Sequence, residues 1–313
     1  MALGGFCQDC FKGTLRGDAQ PTGTVETIHG LPTYVARPDP SSQGEPLGLV
    51  VIVPDVFGWE LLNTRALADS YARRGPFVVY LPDFMDGAAP PAYSLALLDK
   101  IEKPSPSWWA ALIQKPWLAL QLVAIFVPRL LRIRGSVTTP RVHAFFQALR
   151  RAAASSSSSS SPTTIAAAAA PPNGKVGVVG FCWGGRHAID LCGAEAEDGR
   201  SLVDCGFTAH PSMVKIPDAL ERVRVPLSVA NGDNDAFMGR DKMATLKRVL
   251  EGVVRDGSGG GDGGGRVHEV VVYEGAIHGF AVRGNPADPR QAELGLKAED
   301  QAVSWFRRQF SST

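Results

Sequence analysis

Short apolar runs rich in β-branched residues, each ending in turn residues, recur along the chain: "LGLVVIVPD" (47–55), "PFVVYLPD" (76–83), "KVGVVGF" (175–181), "VDCGFTAHP" (203–211), "VPLSVANGD" (225–233) and "VHEVVVYEG" (267–275). Segments with helical spacing lie between them. In 59–75, for example, Leu62, Ala66, Leu67 and Tyr71 share one face. Residues 288–310 predict a long closing helix, and "ETIHGLPTYVARP" (26–38) predicts an N-terminal hairpin turning at "HGLP". Strands alternating with helices in this way predict an α/β fold with a mostly parallel, doubly wound sheet.

Three stretches break the pattern. The Ser/Ala/Pro run 155–172 and the glycine run 257–265 cannot bury enough apolar surface to order themselves, so both are expected as disordered loops. Each sits between a helix and the strand that follows it, which makes it an expanded loop and not a domain linker. The third stretch, "SWWAALIQKPWLALQLVAIFVPRLLRIRG" (107–135), is strongly apolar. Its core from Trp117 to Val127 stops at Pro128, short of the roughly 20 residues a membrane-spanning helix needs, so no transmembrane segment is expected. A pair of helices packed on the sheet and bent at Pro116 and Pro128 is the first expectation for this region. A cap over the active site, or a helix placing Arg129, Arg132 and Arg134 towards lipid headgroups, are the alternatives.

A length of 313 residues is compatible with a single domain of this class. The expected organisation is a flexible N-terminal arm (1–24) and one domain (25–313) with a helical cap or insertion at 104–136. A net charge of +1, without a basic stripe interleaved with aromatics, argues against nucleic acid as a partner. The first residues lack a basic and an apolar secretory region, so a cytoplasmic protein with reduced thiols is expected. Five scattered cysteines fit that setting. Cys7 and Cys10 form a CxxC, but no second CxxC follows; they read as incidental thiols on the arm. No HExxH or comparable spacing occurs, so neither a metal nor any other cofactor is expected.

Candidate chemistry concentrates in "GFCWGG" (180–185). A nucleophile on an abrupt strand-to-helix turn needs small neighbours two positions away on each side, and Gly180, Cys182 and Gly184 provide this. The following helix dipole favours a thiolate, and the Trp183 amide points where an oxyanion would form. A nucleophile needs a base, and the base needs an orienting acid. "GDNDAF" after the run at 225–233 and "AIHGF" after the run at 267–275 nominate Asp235 and His278 in the chain order nucleophile, acid, histidine. Asp233 is the competing acid. Taken singly, Cys182 reads as a core cysteine, Asp235 as a helix cap and His278 as a loop residue. The order, with each residue at the C-terminal end of a predicted strand, favours the joint reading.

The segments "VPDVFGWELLNTRALADSYARRG", "VVYLPDF", "GFCWGG", "GDNDAF" and "IHGFAVRG" together resemble the dienelactone hydrolase family, in particular its eukaryotic branch. The resemblance implies an α/β-hydrolase fold, a triad of Cys182, His278 and Asp235, and an oxyanion hole made by the Val56 and Trp183 amides. Bacterial members place a glutamate beside the resting thiol, where Asp55 stands here. They also bind the substrate carboxylate with two arginines. "MDGAAP" offers none, and Arg283 is displaced by one position.

The implied activity is cysteine-dependent hydrolysis of a lactone or small ester through a thioester, similar to carboxymethylenebutenolidase, by a monomer or homodimer. Asp86, near the missing arginine, points to neutral substrates. Two other readings are a thiol redox sensor built on Cys182, and a lipid or protein interaction module using 107–135.

Overall fold

The computed structural model describes residues 20–39, 44–91, 93–102, 105, 107–158, 170–255, 268–282 and 288–312. Strands β1 (Thr24–Ile28) and β2 (Leu31–Ala36) form the expected hairpin. Its turn residues His29 and Gly30 have φ of 48° and 83°, the left-handed backbone that a two-residue hairpin loop requires. Residues just before β1, expected in the arm, are tied to the body: the Thr22 amide donates to Asp69 and the Gly23 amide to the Tyr34 hydroxyl. Cys7 and Cys10 lie outside the described residues, as does the glycine run.

Six further strands follow: β3 (Leu49–Val53), β4 (Val78–Pro82), β5 (Val176–Phe181), β6 (Cys205–Ala209), β7 (Leu227–Gly232) and β8 (Glu269–Tyr273). The eight-stranded sheet has the order β1-β2-β4-β3-β5-β6-β7-β8, and every pairing from β4 to β8 is parallel. Strand side chains alternate between two cores. Leu49, Val51 and Val53 enter one, while Val50 and Ile52 enter the other. Helices α1 (Leu62–Arg74) and, at the C-terminus, Pro289–Ser311 cover the second core. The first is covered by α4 (Gly135–Ser158), α5 (Trp183–Leu191), α6 (Asp218–Glu221) and α7 (Arg240–Arg255), which makes the C-terminal helix α8. The sheet is therefore doubly wound, as its near-continuous apolar strands require.

The Ser/Ala/Pro run begins inside α4, which extends to Ser158. Ala152, Ala153 and Ala154 are strong helix formers, and the Ser155 hydroxyl donates back to the Arg151 carbonyl, so this end of the run stays helical. Residues 159–169 lie outside the described set.

The region 107–135 departs most from expectation. After α2 (Tyr93–Glu102), a π-helical turn at Ala110–Gln114 runs directly into α3 (Lys115–Arg132). Pro116 lies where the π-helical turn passes into α3, and the preceding turn, 111–114, is exposed, so water can solvate the carbonyl that the proline leaves free. Pro128 sits inside the helix without ending it; α3 is exposed enough for water to solvate a freed carbonyl, and Arg129 Nη1 donates to the Ile125 carbonyl at 2.9 Å. Ala111–Arg132 is thus one run of 22 residues, long and apolar enough by length and composition to cross a membrane. No residue of α3 is buried, so it is not packed on the sheet. It rests against α2 and places Phe126 edge-on to Phe57 at 6.1 Å.

The second core is anchored by Phe306 of α8, whose ring lies 6.1 Å from Phe77 and 5.7 Å from Phe310 and packs over Gly177. Phe306→Ala should destabilise the protein by about 3–5 kcal/mol in chemical denaturation, because β5 and α8 cannot close over the lost ring. A loss of under about 1 kcal/mol would show that the two remaining rings repack to fill the space.

Candidate active site

The strand-to-helix turn after β5 forces Cys182 into a strained backbone, with φ 49° and ψ −110°. Its neighbours explain how that strain is held. A methyl group on Gly184 would lie 2.1 Å from the Val53 carbonyl oxygen, and one on Gly180 would lie 2.3 Å from the Gly184 carbonyl oxygen. Only glycine permits α5 to start that close to β3. The end of β6 completes the clamp: the Cys182 amide donates to the Ala209 carbonyl, the Ser212 amide donates to the Cys182 carbonyl, and the Thr208 hydroxyl donates to Gly180 O at 2.9 Å.

The loops after β7 and β8 meet at Gly232, where a methyl would lie 2.0 Å from the Ala276 carbonyl oxygen. Asp233 ties these loops together by accepting the Gly275 amide at 2.6 Å. Asp235, two residues further, is turned inwards. Its Oδ1 accepts the Phe237 and Met238 amides at 2.7 and 3.1 Å, and its Oδ2 accepts from His278 Nδ1 at 2.9 Å. The opposite ring nitrogen, Nε2, lies 3.1 Å from Cys182 Sγ. Cys182, His278 and Asp235 are thus brought into one relay, and of the two candidate acids it is Asp235 that contacts the imidazole.

The relay is mostly buried; the Asp235 side chain is fully shielded and that of His278 is 13% exposed. Burial works against a charged imidazole. The hydrogen bonds and attraction of Asp235 and Cys182 nevertheless outweigh it and push His278 up to about 9. Burial by itself would raise Asp235, yet the hydrogen bond and charge of His278, then the two amides, hold it below its ordinary value.

Val53 pairs with Gly180 at the ends of β3 and β5, and Val56 and Trp183 each stand three residues further along the chain from that pair, in the turns that leave the two strands. Asp55 is buried and shapes the first of these turns: its Oδ1 accepts the Phe57 amide at 3.0 Å and its carbonyl accepts the Gly58 amide. Arg283 lies outside the described residues. Asp86, expected to disfavour an anionic substrate, is paired with Arg141 from α4 at 3.1 Å, and Arg141 also donates to the Phe84 carbonyl. That arginine is 55 residues away in the chain, beyond the reach of local reading.

Further residues of the site carried no sequence motif. The Ser212 hydroxyl lies 3.6 Å from Cys182 Sγ. His210, fully buried at the end of β6, sets its ring 5.0 Å from that of His278. Gln291 of α8 accepts the Ile277 amide and donates to the Gly275 carbonyl, so it braces the histidine loop on both sides. The Phe237 ring lies 4.6 Å from the imidazole and is largely exposed. Among the described residues no group of three His, Cys, Asp or Glu side chains is placed to hold a metal ion.

The model of the dienelactone hydrolase family matches residues 31–310. The chain belongs to the dienelactone hydrolase family. Among relatives of this family member, Hydrolase tropI of Talaromyces stipitatus is 24% identical, over 95% of this chain and 94% of that protein. The carboxymethylenebutenolidase homolog of Mus musculus is 23% identical, over 90% of this chain and 89% of that protein. Two solved structures share the fold: the dienelactone hydrolase of Anabaena variabilis (TM-score 0.51, 13% identity, 93% of this chain and 99% of that one) and a hyperthermophilic esterase of Pyrobaculum calidifontis (TM-score 0.56, 14% identity, 96% and 89%). The fold is therefore that of the α/β-hydrolases, and the protein is a hydrolase of the dienelactone hydrolase family.

The raised value of His278 has a pH consequence. A group whose value rises on folding contributes stability that is complete below its ordinary value of 6.5 and is lost as pH climbs through about 9. His278 should therefore titrate near pH 9 by NMR in the native protein, and at distinctly lower pH in Asp235→Asn. Asp233→Ala should leave that titration in place while lowering the melting temperature, because alanine has no oxygen to accept the Gly275 amide. A His278 titration that responds to Asp233 and not to Asp235 would reverse the roles of the two acids.

Proposed function

We propose that this dienelactone hydrolase family member cleaves neutral lactones or small esters through a cysteine thioester. The observation that carries this reading is the 3.1 Å approach of His278 Nε2 to Cys182 Sγ, with Asp235 on the other ring nitrogen. The Cys182 sulfur attacks the carbonyl carbon while its proton rests on His278 Nε2, and Asp235 stabilises the imidazolium. The carbonyl oxygen becomes an oxyanion facing the Val56 and Trp183 amides. When the tetrahedral centre collapses, the carbon–oxygen bond of the ester breaks, and the departing oxygen takes the proton from His278. Water then attacks the thioester with His278 as its base, which releases the acid and restores the thiol. Asp55 acts through the turn that carries Val56.

Two features support a neutral substrate. The exposed aromatic ring beside His278 is that of Phe237, and Arg141 is engaged by Asp86. Cys182, Cys192 and Cys205 are free thiols, which fits work in a reducing compartment such as the cytoplasm.

Cys182→Ala should bring turnover of p-nitrophenyl esters and simple lactones to background while circular dichroism shows the native fold retained. Cys182→Ser should retain only a small fraction, since a hydroxyl is harder to deprotonate. Asp235→Asn should lower kcat by about 10³–10⁴-fold through loss of imidazole orientation. With a slowly deacylated ester, mass spectrometry should find the acyl group on Cys182. Native rates in the alanine variant would refute the mechanism, and higher kcat/KM for carboxylated than for neutral analogues would refute the substrate class.

A further inference from the structure

The segment from Trp108 to Arg134 exposes apolar surface that the fold leaves uncovered. On α3 the side turned towards the body carries Leu118, Leu122, Ile125 and Phe126, all partly buried. On the opposite side Trp117, Leu120, Ala124, Val127 and Leu131 recur every three or four residues, and all are exposed. A surface helix ordinarily presents polar residues there. Ahead of it, Trp108 and Trp109 stack at 3.8 Å and are 65% and 57% exposed. Apolar surface of this extent on a soluble protein marks a place where something docks.

Charge identifies the occupant. Between Glu102 and Asp190 the chain contains no Asp or Glu, and 103–135 contributes Lys103, Lys115, Arg129, Arg132 and Arg134. Arg132 and Arg134 are exposed at the C-terminal end of the apolar face. A segment whose own charges are all cationic repels a second copy of itself and attracts an anionic surface. Indole rings together with an apolar helix flanked by basic residues are the chemistry of the boundary between headgroups and acyl chains.

Topology decides between lying on a bilayer and crossing it. The segment connects β4 to β5, and both strands pair with β3. A single crossing by α3 would put β4 and β5 on opposite sides of the membrane and tear the sheet apart. We propose that the Trp108–Arg134 segment is a monotopic docking surface for an anionic lipid bilayer, with α3 lying in the plane of the interface. Phe126, on the body side of α3, contacts Phe57 on the turn after β3, so the docking helix is joined to the turn that carries Val56. Binding does not depend on the hydrolytic reading and should be the same in Cys182→Ala.

The test is co-sedimentation of the full chain with two kinds of vesicle, phosphatidylcholine alone and phosphatidylcholine with an equal part of phosphatidylserine. Binding should favour the anionic vesicles strongly and fall with added salt. Indole fluorescence should shift to the blue on binding. Replacing Trp108 and Trp109 together by Ala should weaken binding by about tenfold or more. Replacing Arg132 and Arg134 by Ala should weaken binding to anionic vesicles by about 30-fold and leave neutral ones little affected. All four side chains are exposed, and circular dichroism melting checks that the variants fold. Three outcomes would overturn the proposal: no binding to either vesicle, a concentration-dependent dimer that is abolished by the tryptophan substitutions in place of vesicle binding, or binding indifferent to both pairs of substitutions. Release from vesicles only by detergent would overturn the in-plane disposition.

Discussion

The close approach of Gly184 to the Val53 carbonyl is the contact on which the arrangement of the site depends. With any side chain at 184, α5 would be pushed off the end of β3, and the strained turn at Cys182 would have no wall to hold it. Holding it there costs on the order of 1–3 kcal/mol of backbone strain. The clamp from Thr208, Ala209 and Ser212 offsets that cost, which ties the thiol's position to β6 as firmly as to β5. The turn presents sulfur at the C-terminal edge of a parallel sheet, where other loops also gather.

Two aspartates two residues apart divide the remaining work. Asp233 spends its carboxylate on the backbone, closing the loops after β7 and β8 against each other, while Asp235 faces the imidazole. Gln291 braces the histidine loop from α8, so the helix that seals the second core also steadies the ring that faces the thiol. Stability and reactivity are therefore coupled. The same hydrogen bonds that lift His278 also lock it onto the sulfur, and a weaker acid loop would loosen both.

The α3 segment obeys a different logic from the rest of the chain. Elsewhere apolar residues alternate or repeat so that one face enters a core; here they surround the helix and none is buried. A helix apolar on all sides asks for an apolar environment on all sides. The body supplies only the side that meets α2 and Phe57, and the basic residues at the C-terminal end restrict what can supply the other.

The period of the apolar positions determined the strands, the doubly wound sheet and the hairpin, because alternation and helical spacing are local properties of the chain. The glycines around Cys182, together with the order of the three strand-end residues, determined which side chains were candidates for the relay. Local patterns could not decide what depends on residues far apart in sequence. The sequence pointed to Asp235 as the acid, but that Asp233 instead closes the loops after β7 and β8 follows from how those strands pair. The neutralisation of Asp86 by Arg141, the contact of Ser212 with the thiol and the brace from Gln291 each join separate elements. The course of α3 also escaped the sequence. Proline breaks a helix where its lost hydrogen bond is buried, and only the tertiary structure reveals that Pro128 stands on an exposed helix where that loss is small.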